Sequence, residues 1–509
     1  MLKFLKLAQL RLKSSISNES FRTQSGYFAA LSLVGTLLSL LVVFTRRDGM
    51  GGDEAGYLNY SFATMVGDSP TSGKPPLFYF ANYFFRHSLE DIFGRIAFVS
   101  PYFVYALLFS ISLSFLAFAI SRLTNSKIWQ VFALLWLSPL AFYHSTHLMM
   151  ETPLFILINF IVGICIFSSM DVNRPALSLR MVSLSFLVAL AVMIKETTLP
   201  ALILIFCGVV FTDRIHKKYF IYGIFLGILL RILINHFMGA ADAQYLNSGL
   251  QLNSIRMQLE NIPLYISEWI FFLVPIVSIL GIGALILSSL SRKTKVKIGF
   301  LLILGLTMAG AIALSSKIIA GRYSFPVLWV VFLILFILSL WRWKKLFIPS
   351  ALSMIIPITS FFTPDPSRFH LWPTLFRREV YSSGSTVFVG SPLFQWILTN
   401  GPSKESNICI YLKGENGEMG YYVNRALVGV FQTKTIFPES DLKEYEKCEG
   451  THLYFQRQYL SIPENCDLPC SERAKRSCSI QPVDEFSLDG HHTPDLPGRL
   501  TNGACFDEK

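Results

Sequence analysis

A long polar loop near the start of the chain, residues 45–100, carries side chains that suit acid–base chemistry on an anionic substrate. Asp53 and Glu54 are adjacent carboxylates, and Lys74 follows within the segment Gly-Lys-Pro-Pro-Leu-Phe-Tyr. A carboxylate can accept a proton from an attacking hydroxyl, and an ammonium can bind an anion. The glycines here do not form a phosphate-binding loop, because no strand precedes them and no Gly-Lys-Ser/Thr follows. Taken alone, the acidic pair is more typical of solvated charges beside a membrane span.

Three later segments each place an ionisable side chain at the edge of an apolar run. Glu151 precedes Thr-Pro-Leu, Lys195 precedes Glu-Thr-Thr-Leu-Pro, and Arg322 precedes Tyr323-Ser-Phe-Pro. Other cations are few between the later apolar runs on this side, namely Arg256 and Lys317. Long cationic side chains at such positions also serve simply to reach the membrane surface.

The elements that hold these side chains are apolar segments long enough to cross a membrane. The 509 residues are 52% hydrophobic and only 15% charged, with a mean hydropathy of +0.48, whereas soluble domains average roughly 25% charged residues. Charge-free runs lie at 101–120, 128–143, 153–168, 269–290, 298–316 and 325–341. They predict an all-α polytopic membrane protein and exclude a soluble enzyme, a secreted protein and a single-anchor receptor. We expect about eleven spans, centred near residues 35, 110, 135, 160, 188, 205, 227, 280, 307, 333 and 354.

Basic residues recur in alternate loops, which predicts the orientation in the membrane. The N-terminal segment 1–25 is basic, as are the loops near residues 122–127, 174–180, 214–218, 292–297 and 342–345. Because Lys and Arg accumulate in cytoplasmic loops, we expect a cytoplasmic N-terminus and, with an odd number of spans, a C-terminus outside. Arg46 and Arg47 are the exception. The same rule accounts for the net charge of +11, so membrane lipids rather than nucleic acid are the expected partners.

The tail, residues 363–509, differs in composition from the apolar region, residues 26–362. It mixes charges, Pro and Gly with β-like runs at 386–389, 408–412 and 427–431, which predicts a small extracytoplasmic α/β domain. Six cysteines lie in this tail: Cys409, Cys448, Cys466, Cys470, Cys478 and Cys505. On the oxidising side they predict up to three disulfides, among the 15 pairings that six cysteines allow. A zinc site at Cys466, Cys470 and Cys478 is the alternative.

The order of these motifs resembles the GT-C class of polytopic membrane glycosyltransferases. The most similar branch holds the protein O-mannosyltransferases and the lipid A aminoarabinose transferase. In the first outer loop the likeness is carried by Asp53-Glu54, by Tyr57, by Gly67-Asp68 and by the run from Lys74-Pro75-Pro76 to Tyr79.

The three later segments resemble the same class in the same order. Glu151 matches a second acidic position before Pro-Leu, Lys195 a lysine-bearing outer turn, and Arg322-Tyr323 the entry to a late span. The likeness covers about residues 25–345. The chain departs from the family in a short stretch between Asp68 and Lys74, and in having Glu151 where Asp is more usual.

This resemblance implies a transferase that moves a sugar from a polyprenyl phosphate to a protein, lipid or glycan acceptor on the outer face of the membrane. Protein glycosylation and lipopolysaccharide modification in a bacterial inner membrane are the implied settings. One direct displacement would invert the sugar carbon, because no second carboxylate has to act as a nucleophile. Such a reaction needs cations on the leaving phosphate and a carboxylate near the attacking hydroxyl.

The resemblance also implies roles for individual residues. Catalytic roles are assigned to Asp53, as the base or as the group that orients the acceptor hydroxyl, and to Glu54 and Glu151, which shape the same site. Donor phosphate binding falls to Lys74, Arg322 and Lys195, and sugar or acceptor binding to Tyr57, Tyr79 and Tyr323. No residue is assigned to a metal and no cofactor is required; a divalent ion held by Glu54 and Glu151, or a zinc ion held by His144, His147 and Glu151, is the alternative.

A transporter or flippase of a lipid-linked or small solute is the main rival from another class. Transporters keep ionisable residues near the middle of the membrane, whereas here only Arg231 lies well inside a predicted span. The distinctive charges instead lie at the outer ends of the spans, which favours chemistry at the membrane surface. A non-catalytic subunit that binds a sugar-linked lipid is the third interpretation.

Overall fold

The computed structural model describes residues 19–45, 76–93, 99–148, 151–170, 174–195, 198–210, 215–237, 273, 275–288, 290–315, 321–342, 349–352, 408–413, 434–437, 442–449, 451–456 and 505–508. Helices dominate the part before residue 350. They are α1 Glu19–Thr45, α2 Pro76–Ser88, α3 Glu90–Phe93, α4 Ser100–Thr124, α5 Ile128–Trp136, α6 Pro139–Thr146, α7 Thr152–Met170, α8 Arg174–Ile194, α9 Thr198–Val210, α10 Ile215–Phe237, α11 Pro275–Leu287, α12 Arg292–Ser315 and α13 Phe325–Arg342, with a 3₁₀ helix at Gly321–Ser324.

Five of the described helices are long and apolar enough to cross a membrane. The qualifying segments are Gly26–Val43, Ser100–Thr124, Thr152–Ser169, Arg292–Ile312 and Phe325–Arg342. Shorter apolar segments occupy Leu179–Ile194, Thr198–Val209 and Ile276–Leu287. These helices make the described apolar region that of a helical, multi-pass membrane protein. The full count of about eleven spans remains a prediction.

The segment near residue 135 differs from the single span expected there, because it is split into α5 and α6. Ser138 occupies the N-cap of α6, where its Oγ accepts a hydrogen bond from the Ala141 amide at 3.4 Å, and Pro139 begins the helix. Proline has no N–H to bond to the preceding turn, so it starts a new helix more readily than it continues one. Neither piece is long enough to cross roughly 30 Å of hydrocarbon.

Glycines on α10 allow it to approach α8 closely. A Cβ atom added at Gly223 would lie 2.6 Å from the carbonyl oxygen of Ser185, and one added at Gly227 would lie 2.7 Å from that of Ala189. The two glycines are four residues apart, so they share one face of the helix. Small residues at this spacing let apolar helices pack backbone against backbone within a membrane.

The centre of the helical region is tied together by a buried polar chain, which we call the Asn159 bridge. It joins α4, α7 and α13: the indole Nε1 of Trp329 donates to Asn159 Oδ1 at 2.8 Å, and Asn159 Nδ2 donates to Ser112 Oγ at 3.2 Å. All three residues are fully buried. In an apolar interior each of these bonds satisfies groups that water cannot reach, so the bridge fixes how the three helices lie together.

The described part of the tail contains a four-stranded sheet, with strands β1 Ile408–Lys413, β2 Lys434–Phe437, β3 Thr451–Gln456 and β4 Cys505–Glu508 and a short helix at Leu442–Lys447. The strand order is β2-β1-β3-β4, with β1 parallel to β2 and β3, and β4 antiparallel to β3. Strand β1 covers the run predicted at 408–412, whereas those at 386–389 and 427–431 lie outside the described residues. That the tail is an extracytoplasmic domain stays a prediction.

The register of this sheet separates two of the tail cysteines. Cys409 on β1 pairs with His452, and Cys505 on β4 pairs with Tyr454, so β3 runs between the two cysteines. Two strand spacings amount to about 9.5 Å, beyond the limit of about 7 Å between Cα atoms that a disulfide can join. A bridge between Cys409 and Cys505 is therefore incompatible with the sheet.

The chain divides into two compact units, of which one is Met1–Leu40, Pro70–Phe78 and Tyr102–Phe361, and the other is Leu41–Ser69, Tyr79–Pro101 and Phe362–Lys509. Helices α5 to α13 and the Asn159 bridge belong to the first unit, and the sheet belongs to the second.

Candidate functional site

Glu151 lies at the N-terminal end of α7, immediately before its first helical residue. Its carbonyl oxygen accepts the amide of Phe155 at 3.1 Å, the first bond of that helix, and its side chain is fully buried. Pro153 follows two residues later, where a missing N–H costs the helix nothing. A carboxylate is favourable at this end of a helix because the unpaired N–H groups make it electropositive.

Lys195 lies at the opposite kind of helix end, one residue past the end of α8. Its amide lies 3.5 Å from the Ala191 carbonyl oxygen, and its own carbonyl accepts the Thr198 amide at 3.2 Å as α9 begins. A cation is favourable at a helix C-terminus for the same electrostatic reason that favours Glu151 at an N-terminus. The turn between α8 and α9 therefore holds an ammonium at the same end of the bundle as the start of α7.

Glu151 and Lys195 form a buried ion pair in which Lys195 Nζ donates to Glu151 Oε1. The Lys195 side chain is 9% exposed and that of Glu151 is 0% exposed. Removing one member of such a pair leaves an uncompensated buried charge and typically costs about 3–5 kcal/mol. The pair therefore locks the start of α7 to the turn after α8.

Tyr323 completes the immediate surroundings of Lys195. It lies in the 3₁₀ helix that leads into α13, and Lys195 Nζ lies 4.4 Å from the centroid of its ring. A cation over an aromatic face is attracted by the ring's electron density, with a strength of about 2 kcal/mol when the contact is desolvated. The three segments that resemble family motifs, near residues 151, 195 and 323, thus meet at one place.

Two histidines on α6 and at its end lie buried near the start of α7. His144 Nδ1 is 3.4 Å from Thr152 Oγ1, and that hydroxyl donates to the His147 carbonyl at 3.2 Å. His147 Nδ1 lies 3.0 Å from Thr146 Oγ1 and 3.2 Å from the Tyr143 carbonyl oxygen.

Aromatic rings connect this histidine cluster to α13. The His144 ring stacks on Phe155 with centroids 4.0 Å apart and meets Phe325 edge-on at 6.2 Å. Phe155 in turn contacts Trp329 at 5.7 Å, and Trp329 is the indole of the Asn159 bridge. The Asn159 bridge and these rings therefore form one continuous set of packed side chains.

The described residues do not form a metal centre. Among them, no group of three His, Cys, Asp or Glu side chains is close enough to hold a metal ion, so His144, His147 and Glu151 do not come together as zinc ligands. The alternative zinc ligands Cys466, Cys470 and Cys478 lie outside the described residues, as does Glu54.

The structure brings together three of the nine side chains assigned from the sequence, namely Glu151, Lys195 and Tyr323. For Tyr79 on α2 and Arg322 in the 3₁₀ helix only the backbone is described. The remaining four lie outside the described residues: Asp53, Glu54, Tyr57 and Lys74.

Sequence reasoning missed Thr152, Phe155, Asn159 and Trp329. Asn159 carried a usable signal, since it is an amide in the middle of the charge-free run 153–168. A polar side chain inside a membrane helix usually faces the protein interior and finds a partner there. Thr152 and the two aromatic residues carried no such signal, because their types are ordinary in apolar helices.

The arrangement gives one buried ammonium two neighbours, a carboxylate and an aromatic ring. Lys195 has three N–H groups, of which one donates to Glu151, and the planar ring of Tyr323 presents one face to the ammonium. An anionic group that approached Lys195 would compete with Glu151 for the ammonium, which would free the carboxylate to accept a proton.

No family model, curated protein or solved structure matches this chain.

Proposed function

We propose that the chain is an integral-membrane glycosyltransferase that takes a sugar from a polyprenyl phosphate and passes it to a hydroxyl of a protein, lipid or glycan. The supporting observation is the convergence of Glu151, Lys195 and Tyr323 at one end of the helices. These residues come from segments up to about 170 positions apart, each of which resembles a motif of the same enzyme class.

In this proposal Lys195 binds the phosphate of the donor, and Glu151 holds Lys195 in position until the donor arrives. The acceptor oxygen attacks the sugar carbon from the side opposite the phosphate. The bond from that carbon to the phosphate oxygen breaks, and the polyprenyl phosphate leaves with the electron pair and is stabilised by Lys195, with Lys74 and Arg322 as further ligands. The acceptor proton goes to a carboxylate, which is Asp53 in the first outer loop or, failing that, Glu151.

The ion pair also has a purely structural interpretation, because a buried pair locks helices together whether or not it touches a substrate. The transporter interpretation likewise accommodates buried charges. The Tyr323 ring against the same ammonium is a cation–π contact that a purely structural lysine also makes. What favours the transferase is that the cation, the carboxylate and the ring come from three segments that each resemble a motif of that class.

The direct test is whether the purified protein consumes a lipid-linked sugar. Radiolabelled polyprenyl phosphates carrying different hexoses and pentoses are incubated with the protein in nanodiscs, and label is followed from the lipid into acceptor fractions. The parent protein should release label from one of them. Donor binding by Lys195→Arg, which keeps the charge but changes its geometry, should weaken, while the matched surface variant Lys218→Arg should bind as the parent does.

The opposite result would also be informative. If a well-folded parent protein releases no sugar from any donor, yet moves a lipid or solute across proteoliposome membranes, the transporter replaces the transferase. If Lys195→Arg transfers sugar and binds donor as the parent does, Lys195 is not a phosphate ligand.

A further inference from the structure

The end of the helical unit away from Glu151 contains an apolar cavity, which we call the distal cavity. Its volume is about 190 Å³, and it lies between α4, α7, α9, α12 and α13. The lining is aliphatic except for the indole of Trp341, two small polar side chains and one thiol, and typical members are Val162, Cys165, Leu204, Leu301 and Ile334.

The distal cavity is separate from the candidate site. Val162 is eleven positions after Glu151 on the chain, which corresponds to about 16 Å along α7. The fully buried residues Asn159 and Trp329 occupy the levels between them on α7 and α13. The distal cavity therefore needs its own explanation.

The chemistry of the lining selects hydrocarbon. A dry protein cavity of roughly 150 Å³ lined by Leu, Ile and Phe holds a benzene molecule, so the distal cavity can take a chain segment of at least six carbons. Water is a poor occupant, because a buried water needs two to four polar partners. Along α12 the lining runs from Thr294 to Leu301, a depth of about 10 Å.

Cations lie on α12 at the end of this cavity that is near Thr294. Thr294, which lines it, lies in the first turn of α12 between Lys293 and Lys295, and Arg292 and Lys297 are near neighbours. Arg292 and Lys293 are exposed, and Lys295 Nζ donates to the Ile286 carbonyl at 2.6 Å. No acidic residue lies in that turn. A ligand that enters here therefore meets positive charge first and hydrocarbon-like surface beyond it.

The geometry points to a binding site for an anionic phospholipid, with a segment of one acyl chain in the distal cavity and the phosphate at Arg292 and Lys293. An apolar cavity alone would take any hydrocarbon, and cations alone would take any anion. A phospholipid with a net negative headgroup joins the two properties at the spacing observed, and the membrane leaflet at the basic end of the helices supplies it. The site is independent of the reaction at Glu151.

The test uses the full-length protein in detergent, titrated with phosphatidylglycerol or with phosphatidylcholine of the same acyl chains, and bound lipid is counted by native mass spectrometry. Phosphatidylglycerol should bind at least tenfold more tightly than phosphatidylcholine. Gly208→Leu should weaken that binding at least tenfold, because Gly208 lines the cavity, which the larger side chain would fill, and a Cβ atom there has room, with Leu301 Cδ1 at 3.9 Å. Gly283→Leu is the matched control, since a Cβ there meets nothing within 4 Å.

The charge is tested by the double variant Arg292→Gln and Lys293→Gln, which should remove the preference for phosphatidylglycerol. The double variant Lys217→Gln and Lys218→Gln, at the start of α10, should leave it intact. Equal binding of the two lipids by the parent protein, or full binding by Gly208→Leu, would overturn the proposal.

A labelling experiment on the unmodified protein makes the result independent of how the variants fold. Cys165 lines the distal cavity, and Cys207 on α9 is not among the residues that line it. Phosphatidylglycerol should slow alkylation of Cys165 by a membrane-permeant maleimide at least tenfold and leave Cys207 unaffected, as read by peptide mass mapping. Inorganic phosphate should protect neither. Unchanged Cys165 labelling at saturating lipid would contradict acyl-chain occupancy.

Discussion

Helices α7 and α13 pass through two different environments. At the start of both helices the protein buries opposite charges, two histidines and a tyrosine ring, whereas towards their far ends it leaves an apolar cavity. Between the two, the Asn159 bridge satisfies every polar group with a partner on another helix. Side chains that suit the proposed reaction therefore lie at the first end, whereas the far end offers the mostly apolar lining that the proposed lipid chain would contact.

The charges at the first end either hold helices together or also bind and activate a substrate, and the two roles respond differently to substitution. A structural ion pair can be replaced by apolar residues without loss, because the desolvation cost of two charges offsets most of their attraction. A functional pair cannot be replaced, because a methyl group neither binds phosphate nor accepts a proton.

The largest effect is expected from breaking the ion pair. Lys195→Met leaves the Glu151 carboxylate buried beside apolar groups, and we expect it to lower the free energy of unfolding by about 3–5 kcal/mol. Adding Glu151→Met should restore most of the thermal stability, because no charge remains to be compensated. Thermal denaturation of the two purified variants in the same detergent checks both statements.

The double variant separates structure from function. It should be well folded and inactive in sugar transfer if the first end of the bundle performs the chemistry. A double variant that is as stable and as active as the parent would reduce the ion pair to a structural feature.

The next largest effect is expected in the first outer loop. Asp53→Asn keeps the shape of the side chain but removes its charge and basicity, and general-base catalysis contributes about 10²–10⁴-fold in rate. We expect turnover to fall at least a hundredfold with little change in donor binding. Asp91→Asn is the matched control, because it removes an exposed carboxylate from the same loop. If a folded Asp53→Asn protein keeps half of the parent's turnover, Asp53 is not the base, and the role passes to Glu54 or Glu151.

A smaller effect is expected in the Asn159 bridge that separates the two ends. Trp329→Phe removes the indole N–H that donates a hydrogen bond to Asn159 Oδ1. A buried acceptor left without a donor costs about 1–3 kcal/mol of stability. Adding Asn159→Leu should recover part of that loss, because both partners are then apolar. The melting temperatures of the single and double variants measure the difference, and equal values for Trp329→Phe and the parent would mean that the bridge adds no stability.

The smallest effect is expected at Gly208, and its sign is opposite to that of the effect at Gly223. Gly208→Ala adds a methyl group at the cavity wall and should raise stability by about 0.4–1 kcal/mol, because the unfolded chain loses freedom. Gly223→Ala should lower it by about 1–3 kcal/mol, because the methyl group meets the Ser185 carbonyl oxygen. Thermal shifts of the same sign for both variants would contradict the packing described.

Much of the site could be predicted from sequence, but only as separate pieces. Glu151, Lys195 and Tyr323 each stood out by type and position, and the apolar runs predicted the helices that carry them. Their meeting point could not be predicted, because it depends on how α7, α8 and α13 pack. Ser138 and Pro139 did carry the sequence signature of a helix start, yet the apolar character of the segment made a single span the expected structure there.

The distal cavity had no sequence signal at all. Most of its lining residues are the aliphatic types that any membrane helix contains, and an empty volume arises only from the way in which neighbouring helices fail to fill the space between them. The cations near Thr294 were recognised in the sequence, but as an indicator of orientation rather than as part of a binding site.

The ion pair has a consequence for the response to membrane voltage. Moving one elementary charge across a whole membrane changes its energy by about 2.3 kcal/mol per 100 mV. Glu151 and Lys195 carry opposite charges in direct contact, so an applied potential exerts almost no net force on them. The membrane potential therefore exerts little net force on this site in the parent protein. A variant that removes one of the two charges leaves a net charge, on which the potential does exert a force.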